Sequence, residues 1–297
     1  MARAPAIEQR AACRGAPALS ERVAVVLPVR DGGRHIEPAL RSILEQTHRE
    51  LDIVVSDNHS TDGTPEVARG VGDSRVRIVR PGAPLPISLH HRFAVERTDS
   101  ELVAIMGADD LAAPERLERQ IAYLRAHPNV GLVGCWCGML DTAGTRVGAL
   151  RYAAAPEDVR RTAVRANPIV LPTMLFRRAA YDAVGGFRDD FGVAFDYDLV
   201  LRLVRLAGVA NLPEELLAYR YNTSGGSFRN IRVFQREGLR VRLRALRAGG
   251  YPWYEWLWLA KPLAALALPS AVLRAIAIPY MRFMHGRAPL PSERARL

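Results

Sequence analysis

The stretch Leu51-Asp52-Ile53-Val54-Val55-Ser56-Asp57-Asn58-His59-Ser60-Thr61-Asp62-Gly63-Thr64-Pro65 holds three kinds of structure in immediate succession. Leu51 to Ser56 is a short β-branched run bounded by turn formers, the pattern of a strand buried on both faces. Asp57 to Thr64 is polar and turn-forming. Pro65 has its φ pre-set for the first turn of a helix, so a strand, a loop and a helix are expected in that order.

The same alternation extends to either side. Val23 to Val29 is a second β-branched run; after a turn at Gly32-Gly33, Ile36, Leu40, Ile43 and Leu44 recur at helical spacing up to Gln46. Short strands are expected at Val76 to Val79 and Leu102 to Met106, the latter ending at Gly107-Ala108-Asp109-Asp110. Pro114 opens a helix whose Leu117, Ile121 and Leu124 face inward. Val130 to Leu140 and Arg146 to Leu150 read as a hairpin around Ala143-Gly144, and Asp196 to Ala207 as a helix with Leu199, Leu203, Val204 and Leu206 on its apolar face. Strands alternating with helices give an α/β sheet covered on both sides, which the hairpin makes mixed. No period of 20 to 50 residues recurs, which argues against a solenoid or propeller.

The chain has 297 residues, 49% hydrophobic and 24% charged, an ordinary globular balance. Its formal charge is +10, which suits an anionic partner such as a nucleotide or a phospholipid surface. Lys261 is the only lysine among 41 basic residues, so the excess of arginine also reads as compositional bias. Cys13, Cys135 and Cys137 lack the spacing of a disulfide framework or a zinc set and are read as reduced packing residues of a cytoplasmic protein. Residues 1–20 carry Arg3, Arg10 and Arg14 without an apolar core, so a flexible tail is expected in place of a signal peptide. The seven histidines show no metal-ligand spacing, and His90-His91 reads as loop decoration.

Asp57 and the pair Asp109-Asp110 each fall at the carboxyl end of an expected strand, the edge at which open α/β sheets bind ligands. A lone Asp in such a place is most often a turn former. Carboxylates from separate strand ends, meeting at one edge, would repel a diphosphate unless a divalent cation lay between them. Mg²⁺ or Mn²⁺ suits that role, since each takes oxygen ligands from one or two carboxylates plus phosphate.

The local context of these carboxylates resembles the family-2 glycosyltransferases. The matching runs, in order, are Val25-Val26-Leu27-Pro28-Val29-Arg30-Asp31, Leu40-Arg41-Ser42-Ile43-Leu44-Glu45-Gln46-Thr47 and Ile53 to Thr64. Gly107-Ala108-Asp109-Asp110 with Pro114, Arg177-Arg178, Val184-Gly185-Gly186-Phe187, Phe195 to Leu203 and Tyr219-Arg220 follow. The resemblance covers roughly residues 22 to 228, and its strength lies in the ordered set.

That resemblance implies a GT-A fold, a Rossmann-like mixed sheet between helices, and transfer of a sugar from a nucleotide-diphosphate donor with inversion. It implies that Pro28 and Val29 line the nucleotide pocket with Asp31 close by, and that Asp57 accepts a hydrogen bond from the base. Asp109 would contact the donor's ribose or sugar, Asp110 would hold Mn²⁺ or Mg²⁺, and Asp196 would be the catalytic base. The family often carries Asp where this chain has Gly107, and His where it has Asn222, whose carbonyl oxygen is a weaker substitute ligand. These two departures motivate the alternative of a non-catalytic, membrane-associated nucleotide-sugar binding protein. Gly185-Gly186 reads equally as an acceptor-side turn or as a helix C-cap.

Past about Asn230 the composition changes. Arg229, Arg232, Arg236, Arg240, Arg244 and Arg247 fall on one helical stripe, with Ile231, Phe234, Val241 and Ala245 opposite. Tyr251, Trp253, Tyr254, Trp256 and Trp258 precede an apolar segment, Leu259 to Ile278, which Lys261, Pro262, Pro269 and Arg274 interrupt, leaving it too short to span a bilayer. The expected organisation is a tail (1–20), a glycosyltransferase domain (21–229) and a helical, amphipathic extension (230–297). Helices lying in the interface of an anionic membrane are expected, with core packing or dimer formation as the competing reading. A peripheral position at the inner face of the cell membrane would suit a glycan or lipid-linked acceptor. Nucleic acid is not expected as a partner, because no aromatics interleave with the arginines of the catalytic domain.

Overall fold

The computed structural model describes residues 22–221, 231–269 and 272. The expected tail (1–20), Arg229 and Asn222 lie outside the described residues. The strands are β1 (Val23–Val29), β2 (Leu51–Asp57), β3 (Val76–Val79), β4 (Leu102–Ile105), β5 (Leu111–Ala112), β6 (Val130–Leu140), β7 (Arg146–Leu150), β8 (Leu175–Arg177) and β9 (Gly208–Arg220). The helices are α1 (Ile36–Leu44), α2 (Thr64–Gly70), α3 (Ile87–Glu96), α4 (Arg116–Ala126), α5 (Pro156–Thr162), α6 (Arg178–Ala183), α7 (Phe195–Leu206), α8 (Ile231–Arg247) and α9 (Ala260–Ala267), with a 3₁₀ helix at Trp253–Leu259 before the last.

The strands form one mixed sheet in the order β3-β2-β1-β4-β8-β6-β9-β5, and β7 pairs with β6. β3, β2, β1 and β4 run parallel, whereas β8 is antiparallel to both β4 and β6. The period-2 rule of strands sorts β1: Val23, Val25, Leu27 and Val29 pack with α1 and α4, while Ala24 and Val26 join the core under α3, α7 and α8. Both faces are therefore dry, which explains why β1 and β2 read as unbroken apolar runs. Leu117, Ile121 and Leu124 of α4 are buried as the spacing predicts, and so are Leu199, Leu203 and Val204 of α7.

Two expectations need correction. His90 and His91 lie on α3, not in a loop, and both are buried. Burial pushes each imidazole down to about 4, so both are neutral and serve as core residues with one polar anchor: His90 meets Ser56 Oγ at 2.9 Å and His91 meets the Ile87 carbonyl at 2.8 Å. On α8, Val241 and Ala245 are buried, but Phe234 is exposed. Arg240 and Arg244 lie over the Phe191 ring, so the arginine stripe is partly a packing surface. The Gly185-Gly186 pair ends α6: both residues are left-handed (φ 77° and 61°), and the Gly186 N–H returns to the Tyr181 carbonyl, a helix C-cap.

α8 joins the core shared with α7 through Val241, Ala245 and Leu246, and the 3₁₀ helix joins it through Leu259. The outer side of the 3₁₀ helix is bare. Trp253 is 78% and Leu257 67% exposed, next to exposed Trp256, Trp258 and Leu263. Among the described residues no helix is long and apolar enough to cross a membrane.

Candidate active site

Parallel pairing brings the carboxyl ends of β2, β1 and β4 to one edge. Asp57 is in register with Val29, and the Met106 N–H donates to the Val26 carbonyl, which sets the exit of β4 beside that of β1. With neighbouring strands about 4.8 Å apart, Asp57 and Gly107 leave the sheet about 10 Å from each other. Pro28 and Val29 occupy the strand between them.

The loops after β1 and β2 are tied together. Asp31 accepts from the Thr61 N–H at 2.8 Å, its own N–H donates to Ser60 Oγ at 2.8 Å, and Gly33 N–H donates to Asp62 Oδ2 at 2.9 Å. Asp31 and His59 have left-handed backbones (φ 54° and 59°), a conformation disfavoured away from glycine and sustained here by these cross-loop bonds. Asp57 is fully buried, with Oδ1 accepting from the Ser60 N–H and Oδ2 from Arg80. Burial pushes its carboxyl up, but the hydrogen bonds from Ser60 and Arg80 outweigh it and hold Asp57 below the usual range, ionised. Arg80 thus covers the one carboxylate expected to meet a base.

Asp110 is buried and Asp109 partly so. The Arg220 N–H donates to Asp110 Oδ1 at 2.8 Å, and Arg220 Nε to the Asp109 carbonyl at 3.1 Å. Both carboxyls are raised, by burial first; for Asp110 the neighbouring charge of Asp109 adds to it. His35, just before α1, lies within electrostatic reach of Asp109 and Arg220.

Asp196 stands in the first turn of α7, partly exposed, with Oδ1 accepting from the Tyr197 N–H at 2.7 Å and Oδ2 from Asn167 Nδ2 at 3.0 Å. Burial pushes its carboxyl up to about 6. Tyr219, one residue before Arg220 on β9, links this region to the acidic turn. Its phenol is raised by burial and then by the charges of Asp110, Asp109 and, more weakly, Asp196, so one side chain senses all three carboxylates.

Residues 24–184, just over half of the chain, match the glycosyl transferase family 2 model. The chain belongs to this family. It is 26% identical over 261 residues to the putative glycosyltransferase EpsE of Bacillus subtilis, covering 85% of this chain and 91% of that one. It is 29% identical over 189 residues to the amylovoran biosynthesis glycosyltransferase AmsE of Erwinia amylovora, covering 63% and 70%. Among solved structures, the mannosyltransferase PcManGT of Pyrobaculum calidifontis, in complex with GDP-Man and Mn²⁺, superposes with a TM-score of 0.60 at 22% identity, covering 92% of this chain and 86% of that one. The fold is GT-A and the protein is a glycosyltransferase.

Among the described residues no three His, Cys, Asp or Glu side chains converge to hold a metal ion. The Asp109-Asp110 corner still fits one, because Mn²⁺ and Mg²⁺ complete their shells with phosphate oxygens and water. Two adjacent carboxyls whose ionisation burial and mutual repulsion oppose are a site that a cation would relieve. Gly107 has a steric reason: Asp110 Oδ2 occupies the space a Cβ at 107 would need, with Asp109 Oδ1 3.3 Å from the same point.

The sequence reading missed Arg80, His35 and Asn167. Arg80 could have been found, since it directly follows β3 at the same sheet edge. Asn167 could not, because it reaches Asp196 across 29 residues with no periodic signal.

Proposed function

We propose that this glycosyltransferase moves a sugar from a nucleoside-diphosphate donor to an acceptor hydroxyl by a single inverting displacement, with Asp196 as the base. The observation that carries the reading is the Asp109-Asp110 corner, pinned by the Arg220 N–H on Asp110 Oδ1 at 2.8 Å, with Asp196, held by Tyr197 N–H and Asn167, near enough that all three carboxylates act on the one phenol of Tyr219. A donor diphosphate held at that corner would present its anomeric carbon toward Asp196. Asp196 takes the proton of the acceptor hydroxyl as that oxygen bonds to the anomeric carbon, and the bond to the diphosphate breaks with its electron pair on the leaving oxygen. A carboxyl pushed up to about 6 is a stronger base than an ordinary one and still ionised at neutral pH.

A divalent cation at Asp109 and Asp110 would neutralise the diphosphate and stabilise the charge that grows on it. Mn²⁺ beside GDP-Man in the mannosyltransferase neighbour supports that choice. Pro28, Val29, Asp31 and Asp57 form the nucleotide side, where Arg80 must give way for a base to reach Asp57. Asn222 would add an oxygen ligand in this reading.

The acceptor belongs to surface-glycan assembly in this reading, which the relative named for amylovoran biosynthesis supports. The exposed Trp253, Trp256, Leu257 and Trp258, with exposed Arg236 and Arg247 on the preceding helix, support docking on an anionic bilayer. Residues 230–297 would be the membrane-facing part of the chain and 21–229 its catalytic part. Incubation with nucleotide-sugars and Mn²⁺ is expected to release nucleoside diphosphate; release that persists unchanged in Asp110→Ala and Asp196→Asn would refute the assigned roles. Failure of the full-length chain to float with vesicles containing anionic lipid would remove the membrane reading.

A further inference from the structure

We infer that Glu237, on α8 of the C-terminal extension, is a positioning residue for Asp196, holding the chain at the start of α7 so that the base points where transfer needs it. The inference rests on the reading of Asp196 as base.

The local geometry is specific. Glu237 Oε1 accepts from the Gly192 N–H at 2.9 Å, and Oε2 accepts from the N–H groups of Val193 at 2.7 Å and Ala194 at 3.0 Å. One carboxylate therefore satisfies three consecutive main-chain donors immediately before α7. Helices ordinarily start on a Ser, Thr, Asp or Asn whose side chain caps them. Ala194 precedes α7 and offers none; Glu237, 43 residues downstream, instead anchors the three main-chain donors that lead into the helix. Its negative charge is also on the favourable side of the helix dipole.

The consequence reaches the base within two residues. Ala194 and Phe195 are buried, and Asp196 follows with its carboxylate aimed by Tyr197 N–H and Asn167. The same helix holds the other side of this arrangement. Arg242 Nε donates to the Val164 carbonyl at 2.8 Å and Nη2 to the Arg165 carbonyl at 3.3 Å, with its guanidinium over the Tyr197 ring. The Tyr197 hydroxyl in turn donates to the Ala163 carbonyl at 2.6 Å. α8 thus grips both chain segments that orient Asp196, through Glu237 at 192–194 and Arg242 at 164–165. An extension that served only to carry the enzyme to a surface would need neither grip.

The test uses full-length Glu237→Ala, Glu237→Gln and Asp196→Asn proteins, comparing kcat and KM for transfer, donor affinity by calorimetry, and amide hydrogen exchange at 192–194. Misplacing a reacting group by a fraction of an ångström to an ångström costs up to about a hundredfold, so Glu237→Ala is expected to lose roughly ten- to hundredfold in kcat. Donor affinity should stay within about twofold, and exchange at 192–194 should accelerate. Glu237→Gln, whose single amide oxygen can keep the bonds from Val193 and Ala194 while its NH2 faces the Gly192 N–H, should recover part of kcat and serves as the primary variant should the alanine protein not fold. Wild-type kcat in Glu237→Ala overturns the inference, as does a loss that Gln does not rescue and that donor affinity shares. Full transfer by Asp196→Asn would instead sink the reading of the base itself; an inactive Asp196→Asn beside a fully active Glu237→Ala sinks only the role of Glu237.

Discussion

The main-chain N–H of Arg220 donates to Asp110 Oδ1 at 2.8 Å, joining the last residue of β9 to a carboxylate 110 residues earlier in the chain. The Arg220 guanidinium completes the junction, with Nε on the Asp109 carbonyl at 3.1 Å and Nη1 on the Asp141 carbonyl at 3.1 Å. A carbonyl that loses a charged donor is left short of a partner, at a cost of about 1–3 kcal/mol. Arg220→Met is expected to keep the fold, lower Tm modestly and weaken Mn²⁺-dependent donor binding. Calorimetry with and without Mn²⁺ reads this out, and unchanged affinity in both would disprove it.

Gly107 makes the opposite kind of prediction, because restoring the acid common in the family should harm this chain. A Cβ at 107 meets Asp110 Oδ2, which is buried and pinned through Oδ1 to Arg220, so the turn has nowhere to yield. Gly107→Asp should cost about 1–3 kcal/mol as an overpacked site and bring a third negative charge to a corner already short of counter-charge. Donor turnover should fall at every Mn²⁺ concentration. A variant with tighter Mn²⁺ dependence and higher turnover would show that Asp110 can rotate away.

Much of this architecture was readable residue by residue, and the exceptions have physical causes. β1, β2 and β4 are buried on both faces, so uninterrupted Val and Ile runs announce them, and parallel pairing then obliges Asp57 and Asp109-Asp110 to share an edge. β9 was illegible because Pro213, Glu214 and Glu215 interrupt it; it tolerates them at irregularities in its pairing with β6 around Cys135 to Cys137. α3 hid behind His90 and His91, which look polar in sequence but are neutral, single-anchored core residues in the fold. The long-range partners at Asp196 were beyond reach for another reason. Asn167 and Glu237 act 29 and 43 residues from Asp196 and Ala194, and hydrogen bonds across such separations leave no periodicity, whereas Arg80 follows β3 directly at the sheet edge.

The raised carboxyl of Asp196 has two consequences of opposite sign. As a base it works only ionised, so transfer should rise with pH through about 6 and level off above it, and Asp196→Asn should abolish that limb. Stability runs the other way. Burial raises the folded-state value above the ordinary 3.8, so the group's contribution is fully present below that value and is lost as pH rises through about 6. At pH 7 the ionised base therefore costs about 1–2 kcal/mol once partial solvent screening is allowed for. Asp196→Asn should melt higher than the wild type at pH 7.5 and no higher at pH 4; equal melting at both would mean that the carboxylate is well solvated.

His90 is expected to give the molecule an acid limit. Its imidazole, pushed down to about 4 by burial, is neutral in the fold, whereas in the unfolded chain it protonates near 6.5. The stabilisation it brings is complete above 6.5 and drains away as pH falls toward about 4. His91, on the same helix and against the rings of Phe187 and Phe195, follows the same course. His90→Gln, which can still bond Ser56 Oγ, should flatten the loss of Tm between pH 6.5 and 4. A melting curve as steep as the wild type's would assign the acid sensitivity elsewhere.

Glu255 and Arg165 tie the aromatic 3₁₀ helix to the segment that leads to Asn167, with Nη2 to Oε1 at 2.7 Å. The two ends are unequally buried: the Glu255 side chain is 3% exposed and that of Arg165 33%. Removing the arginine strands a carboxylate in the interior, whereas removing the charge of Glu255 leaves an arginine that can turn to water. Arg165→Met is therefore expected to cost about 3 kcal/mol or more and Glu255→Gln roughly half of that or less. Arg165 also lies over the Trp258 ring, so its loss should additionally loosen the exposed aromatic patch. Chemical denaturation of the two variants gives the ranking, and Glu255→Gln proving the more damaging would show that the carboxylate answers to a second donor besides Arg165.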